Sequence, residues 1–138
     1  MKSLRSALVA ITVLLMATAA HAQTTKVAAT VPFNFVVGNQ NYPAGDYIFS
    51  NSGVVLSVVD TKDGRAQQMI LSRPCEKSIG ADKTKLVFDQ MGGYYFLQQI
   101  WVAGDTRGRE LPKSKAETHL AQNHEKSDSV IIAANLVP

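Results

Sequence analysis

One cysteine, Cys75, occurs in 138 residues, and a single thiol cannot close a disulfide within the chain. Nothing around it resembles a Cys-x-x-Cys motif, so Cys75 reads as a loop thiol with no redox or metal role. Beyond the first 22 residues there is no uncharged apolar run near the roughly 20 residues that a membrane helix needs. Excess charge is absent too. With Lys2 and Arg5 set aside, 12 basic residues stand against 11 acidic ones, a formal charge of +1. A near-neutral domain without a basic stripe gives no electrostatic grounds for nucleic-acid binding. Histidine is scarce: outside the leader only His119 and His124 occur, five positions apart. On a helix that spacing turns the two rings about 140° from each other, so they do not form the His-x-x-x-His face of a zinc site. No Gly-x-Ser-x-Gly elbow is present, which removes the commonest serine-hydrolase signature. No metal, cofactor or catalytic constellation is therefore expected.

What the chain does have begins with an export signal. Lys2 and Arg5 make a short positive region, residues 7–20 are uncharged and rich in Leu, Ile, Val and Ala, and Ala20-His21-Ala22 supplies small residues at −3 and −1. These are the three parts of a cleavable signal peptide. They predict cleavage before Gln23, leaving residues 23–138 as one exported domain, periplasmic or secreted. No cysteine follows the cleavage point, so no lipid anchor is expected.

The remaining 116 residues alternate short apolar stretches with turn clusters, the mark of an antiparallel β domain. In residues 26–37, Val27, Ala29, Val31, Phe33, Phe35 and Val37 fall at period two. Pro32 lies inside that run and lacks an N–H, which predicts an edge strand or a bulge there. Further strands are expected over residues 46–50, 53–60, 65–72 and 85–90. A hairpin turn is expected at Asp63-Gly64 and another at Gly92-Gly93. Residues 73–84 read as a polar loop. Residues 94–102 form the longest expected strand, with aromatic residues on both faces: Tyr94, Phe96, Gln98 and Ile100 on one, Tyr95, Leu97, Gln99 and Trp101 on the other. A strand apolar on both faces belongs in the middle of a sheet. Ser114-Lys115-Ala116-Glu117 is a capping-box pattern after Pro112. It predicts a helix over residues 114–125 with Glu117 on the solvent side, and residues 128–137 then return as one strand. The expected fold is all-β and mainly antiparallel, a barrel or sandwich of about seven strands with one C-terminal surface helix.

Several runs together are familiar: Val31-Pro32-Phe33-Asn34-Phe35-Val36-Val37-Gly38, Pro43-Ala44-Gly45-Asp46-Tyr47, Lys85-Leu86-Val87-Phe88, Tyr95-Phe96-Leu97, Ile100-Trp101, and Gly108-Arg109-Glu110-Leu111-Pro112-Lys113-Ser114. This set resembles a group of small exported proteins of unknown function that recur in acidobacterial genomes. The resemblance spans residues 31–120. It implies no activity, cofactor or catalytic residue; residues 128–138 fall outside it.

Candidate site residues come from two places. Tyr94, Tyr95 and Trp101 are aromatics that an exposed sheet face would offer to a sugar or an apolar ligand. Asp105, Arg107, Arg109 and Glu110 crowd the segment after the longest strand, where Gly104 and Gly108 bracket a loop. Loops held by a rigid sheet are where binding residues concentrate. In the alternative structural role, Arg109 uses its planar fork to hold a carboxylate or backbone carbonyls and fixes where the helix lands. The leading expectation is a non-enzymatic binding or envelope-assembly protein whose partner is another envelope protein or a carbohydrate. The alternatives are a small hydrolase using acids near Asp105 and Glu110, and a barrel carrying an apolar ligand.

Overall fold

The computed structural model describes residues 23–138; the leader read in residues 1–22 lies outside the described residues. Twelve strands and one helix follow: β1 Thr24–Val31, β2 Phe35–Val37, β3 Gln40–Tyr42, β4 Gly45–Ser52, β5 Val55–Asp60, β6 Ala66–Leu71, β7 Arg73–Glu76, β8 Lys85–Met91, β9 Tyr94–Trp101, β10 Arg107–Glu110, α1 Lys115–Gln122, β11 Ser127–Ala133 and β12 Asn135–Val137. They build two sheets, one ordered β12-β1-β4-β5-β6 and the other β11-β8-β9-β10-β7, with the β2–β3 hairpin added beside β9. All pairings are antiparallel except the short β2–β9 contact at Val36 and Phe96. The fold is a mostly antiparallel β-sandwich with one helix. The sheets do not close into a barrel.

Between the sheets the core is filled by side chains of both. Val27, Val31, Tyr47, Phe49, Leu56 and Val58 come from the first sheet, and Phe35, Leu86, Phe88, Leu97 and Ile100 from the second. Phe35 sits at its centre: its ring stacks on Tyr42 at 5.3 Å and meets Tyr47 and Phe88 edge-on at 5.1 and 5.7 Å. The buried phenol of Tyr42 donates to Gln68 Oε1 at 3.0 Å, and that of Tyr47 to the Pro43 carbonyl at 2.7 Å. Each hydroxyl is thus satisfied, as burial demands. Burial, with the Tyr47 phenol close by, pushes the Tyr42 pKa up to about 12. On its far side the second sheet carries α1, which packs Leu120 against Val36, Met91 and Phe96. With a core on one face and a helix on the other, β9 occupies the central place that its two-sided aromatic pattern predicts.

Four expectations about the strands change. The run over residues 26–37 is two strands in different sheets. Pro32 lies at neither an edge nor a bulge: β1 lies between β12 and β4, and the chain crosses to the second sheet after Val31. The period-two burial survives the crossing because both strands face one core. The C-terminal run likewise divides at Ala134 into β11 and β12, one in each sheet. The polar segment over residues 73–84 contains β7, which pairs with β10, a strand that begins inside the loop read between Gly104 and Gly108. Finally, the β8–β9 register slips between Val87 and Phe88, leaving Gln98 as the extra residue. A bulge reverses the facing of everything beyond it. Ile100 therefore joins Leu97 in the intersheet core, and Trp101 turns to the other face.

Two glycines carry local geometry. Gly92 and Gly93 take φ of 58° and 80°, as a two-residue hairpin turn between β8 and β9 requires. Gly108 has an ordinary backbone, but a Cβ there would lie 2.8 Å from ring atoms of Trp101, so β10 can lie over the indole only without a side chain.

The helix starts as its sequence predicts, with Ser114 Oγ accepting from the Glu117 N–H at 3.0 Å. The reciprocal half of the capping box is not made. Glu117 does not face solvent as expected: it is 1% exposed, because its carboxylate accepts from Gln98 Nε2 of the sheet beneath. Burial, with help from Asp89, holds its pKa above the usual 4.5, although Lys113 pulls the other way. An acid whose folded pKa is raised binds its proton more tightly folded than unfolded, so its contribution is fully present below about pH 4.5 and is lost as pH rises through the folded value. Glu117→Gln should therefore be more stable than the parent at neutral pH, and the two should converge towards pH 4; thermal unfolding across that range measures the difference.

Candidate functional site

Tyr94 and Trp101 lie at opposite ends of β9, about 23 Å apart at about 3.3 Å per residue. The seven candidate residues therefore divide between two places. Trp101 is 1% exposed. Its Nε1 donates to Gln99 Oε1 at 3.0 Å, and Lys77 Nζ lies 4.3 Å from the ring centroid. It is a packing residue behind β10. Tyr95 is half-buried, stacked on Phe33 at 3.9 Å. Only Tyr94, 54% exposed, presents its ring to solvent. It stands on the ridge between two open grooves, one lined by Asn34, Asn41, Pro43 and Tyr95, the other by Asn39, Lys115, His119 and Leu120.

At the other end, Asp105, Arg107 and Arg109 come together at the mouth of a cleft of about 130 Å³ between the sheets. Val27, Phe49, Leu56 and Ile100 make its apolar floor, and Thr25 and Asn51 complete the rim. Neither Thr25 nor Asn51 stood out in the sequence; polar residues at inward positions near strand ends give no signal until the two sheets are set face to face. Glu110 does not line this cleft. Alternation along β10 turns it to the opposite side from Arg109, where it pairs with Arg73 at 3.3 Å. Asp105 is exposed, and its Oδ1 accepts from the Arg107 N–H at 2.9 Å. The two acids thus do not face each other across a cleft, the arrangement that a carboxylate-pair hydrolase needs.

Arg109 carries the geometry of this end. Ser72 is the single residue between β6 and β7, where the chain leaves one sheet for the other, and it is buried. Arg109 Nε donates to Ser72 Oγ at 3.0 Å, and Nη2 donates to Ser72 O at 2.8 Å and to Ser72 Oγ at 2.9 Å. The Ser72 N–H in turn bonds the Val54 carbonyl at 2.7 Å. Arg109 thus holds a backbone carbonyl as its planar fork predicts, but the segment it fixes is the crossing between the sheets and not the start of the helix. Unlike Arg73, Arg107 and Lys85, which meet Glu110, Glu76 and Asp82, Arg109 has no carboxylate partner among the described residues. Arg109→Ala should cost more than the roughly 1 kcal/mol expected for Ser114→Ala, because it leaves the buried Ser72 carbonyl without its donor; urea unfolding of both variants beside the parent makes the comparison.

No family model, no curated protein and no solved structure matches this chain. Cys75 lies on β7, half-buried, and burial and then Glu110 raise its thiol pKa, so it is a poor nucleophile at neutral pH. His119 and His124 are both exposed. No helix among the described residues is long and apolar enough to cross a membrane.

Proposed function

We propose that this protein is an exported, non-enzymatic binding protein, and that its ligand is a small molecule taken into the cleft between the sheets at Arg109. One observation carries the reading: a largely filled sandwich core is left open at one end, over apolar side chains, in a cleft lined by an arginine with no carboxylate partner among the described residues. Ligand sites are concave, mostly apolar and supplied with a few placed polar groups, and this cleft has that composition. The volume is that of a six-membered ring: an apolar cavity of about 150 Å³ is enough to hold benzene. The export signal and the resemblance to small exported proteins support the compartment. N-terminal sequencing of the protein recovered outside the cytoplasm should begin at Gln23, and a retained Met1 would contradict export.

Binding is tested by occluding the cleft. Thr25 is at its rim, half-buried near the end of β1, so Thr25→Trp places an indole in the mouth while sparing the core. A ring-sized ligand such as benzamide should raise the melting temperature of the parent, since a ligand that binds only the folded state stabilises it, and should leave that of Thr25→Trp unchanged. Equal shifts in both proteins would place binding elsewhere. A second reading rests on Tyr94, whose exposed ring between amide-lined grooves is suited to stacking on a sugar. Loss of binding to insoluble polysaccharide on Tyr94→Ala, with Thr25→Trp unaffected, would favour it.

A further inference from the structure

We infer that the ligand of the intersheet cleft is a small organic acid, bound with its apolar part on the cleft floor and its carboxylate on Arg109. This rests on the binding reading above and specifies the chemical class. Arginine is half-buried here with three hydrogen bonds from Nε and Nη2, all to Ser72, a neutral residue. Those bonds fix the plane of the guanidinium but do not neutralise it. Nη1 makes no hydrogen bond to protein among the described residues, so a donor remains uncommitted on a rigidly held cation that lines the cleft. Arg107 also borders the mouth, but it is well exposed and lies 3.7 Å from Glu76; Asp105, the one acid at the rim, is exposed and accepts from the Arg107 N–H. The rim thus holds two cations and one anion, and Arg109, the more buried of the two cations, is the one without a counter-ion among the described residues.

The chemistry that completes this arrangement is a monocarboxylate. Its charge supplies the missing partner through a charge-assisted hydrogen bond, which is stronger than one between neutral groups. Its apolar part displaces water from Phe49, Leu56 and Ile100. A dicarboxylate would bury its second charge among these side chains, which is costly without a partner, and a neutral molecule would leave Arg109 unpaired. The cleft volume limits the apolar part to about one ring or a short alkyl chain.

Benzoate and benzamide, nearly the same in shape and different in charge at pH 7, provide the test by calorimetric titration of the mature protein. Benzoate should bind about tenfold or more tightly than benzamide, the difference between a charged and a neutral hydrogen bond. Arg109→Gln should remove that preference while retaining benzamide binding, which also reports that the cleft is still formed. Arg109→Lys should keep only part of the preference, because the ammonium lacks the planar fork. Should Arg109→Gln fail to fold, the comparison of the two ligands on the parent and on Thr25→Trp still decides. Equal affinities for benzoate and benzamide in the parent would overturn the acid and leave the cleft as a site for neutral ligands. Binding of neither would overturn the cleft reading itself.

Discussion

Phe35→Ala should lower the free energy of unfolding by about 3–5 kcal/mol, the cost of truncating a fully buried phenylalanine. Phe35 is 1% exposed, and its ring lies within 5.7 Å of those of Tyr42, Tyr47 and Phe88. Strand β2 is only three residues long, so few backbone bonds hold it in place, and its side chains must do so. A domain of this size is stable by about 5–15 kcal/mol, so the variant should be marginal or unfolded at 37 °C. Phe33→Ala is the control. Its ring is half-buried on the rim of the same cluster against Tyr95, and its loss should be clearly smaller. Urea unfolding of the two variants should order them, and a Phe35→Ala cost no larger than that of Phe33→Ala would refute the placement of the core.

Gly108→Val should be comparably damaging for the opposite reason. Even a Cβ at this position lies 2.8 Å from two atoms of the Trp101 ring and 2.9 Å from a third, and valine adds two methyl groups. Trp101 is buried and cannot swing aside, so either the indole or β10 must move. Overpacking costs about 1–3 kcal/mol when a core can yield and more when it cannot. Displacement of β10 would also carry Arg109 away from Ser72. Trp101 is the single tryptophan, so its fluorescence reports the outcome directly: emission should shift to the red in Gly108→Val. Adding Trp101→Ala to Gly108→Val should cost less than the sum of the two, because the smaller residue removes the clash that the other creates.

The inward faces of this sandwich were legible because every second residue must be apolar where a strand covers a core. Val27, Ala29, Val31, Phe35 and Val37 all proved buried. The same regularity concealed which sheet each strand joins: alternation reports the side a residue faces and not its neighbouring strand, so the crossings after Val31 and at Ala134 left no trace in the period. The short strands β7 and β10 were hidden for a different reason. Their sequences, Arg73-Pro74-Cys75-Glu76 and Arg107-Gly108-Arg109-Glu110, have little apolar content, because β10 covers Trp101 with a bare glycine and turns charged side chains to the cleft mouth and the sheet surface. The bulge at Gln98 was not readable, since Gln98 and Gln99 are the same residue type and either face would accept them. Glu117 looked committed to its own helix by the capping pattern, whereas the amide of Gln98 beneath it supplied a different partner.

Among the candidate site residues, the Gly104–Gly108 segment and the residues after it brought Asp105, Arg107 and Arg109 to the one cleft they line together. The partners that make a site there, Thr25, Asn51 and Ser72, lie in three distant parts of the chain and meet only when the sheets stack. The aromatic candidates separated on burial alone: Trp101 is required by packing, Tyr95 by its stack on Phe33, and Tyr94 remains free.

The claim that ligand enters between the sheets at Arg109 is tested most directly by mapping amide shifts of the mature protein during titration with benzoate. Perturbations are expected to centre on Thr25, Asn51, Ile100 and Arg109 and to be absent from Thr25→Trp. Perturbations centred instead on Tyr94, Asn41 and His119, or none at any accessible concentration, would contradict it.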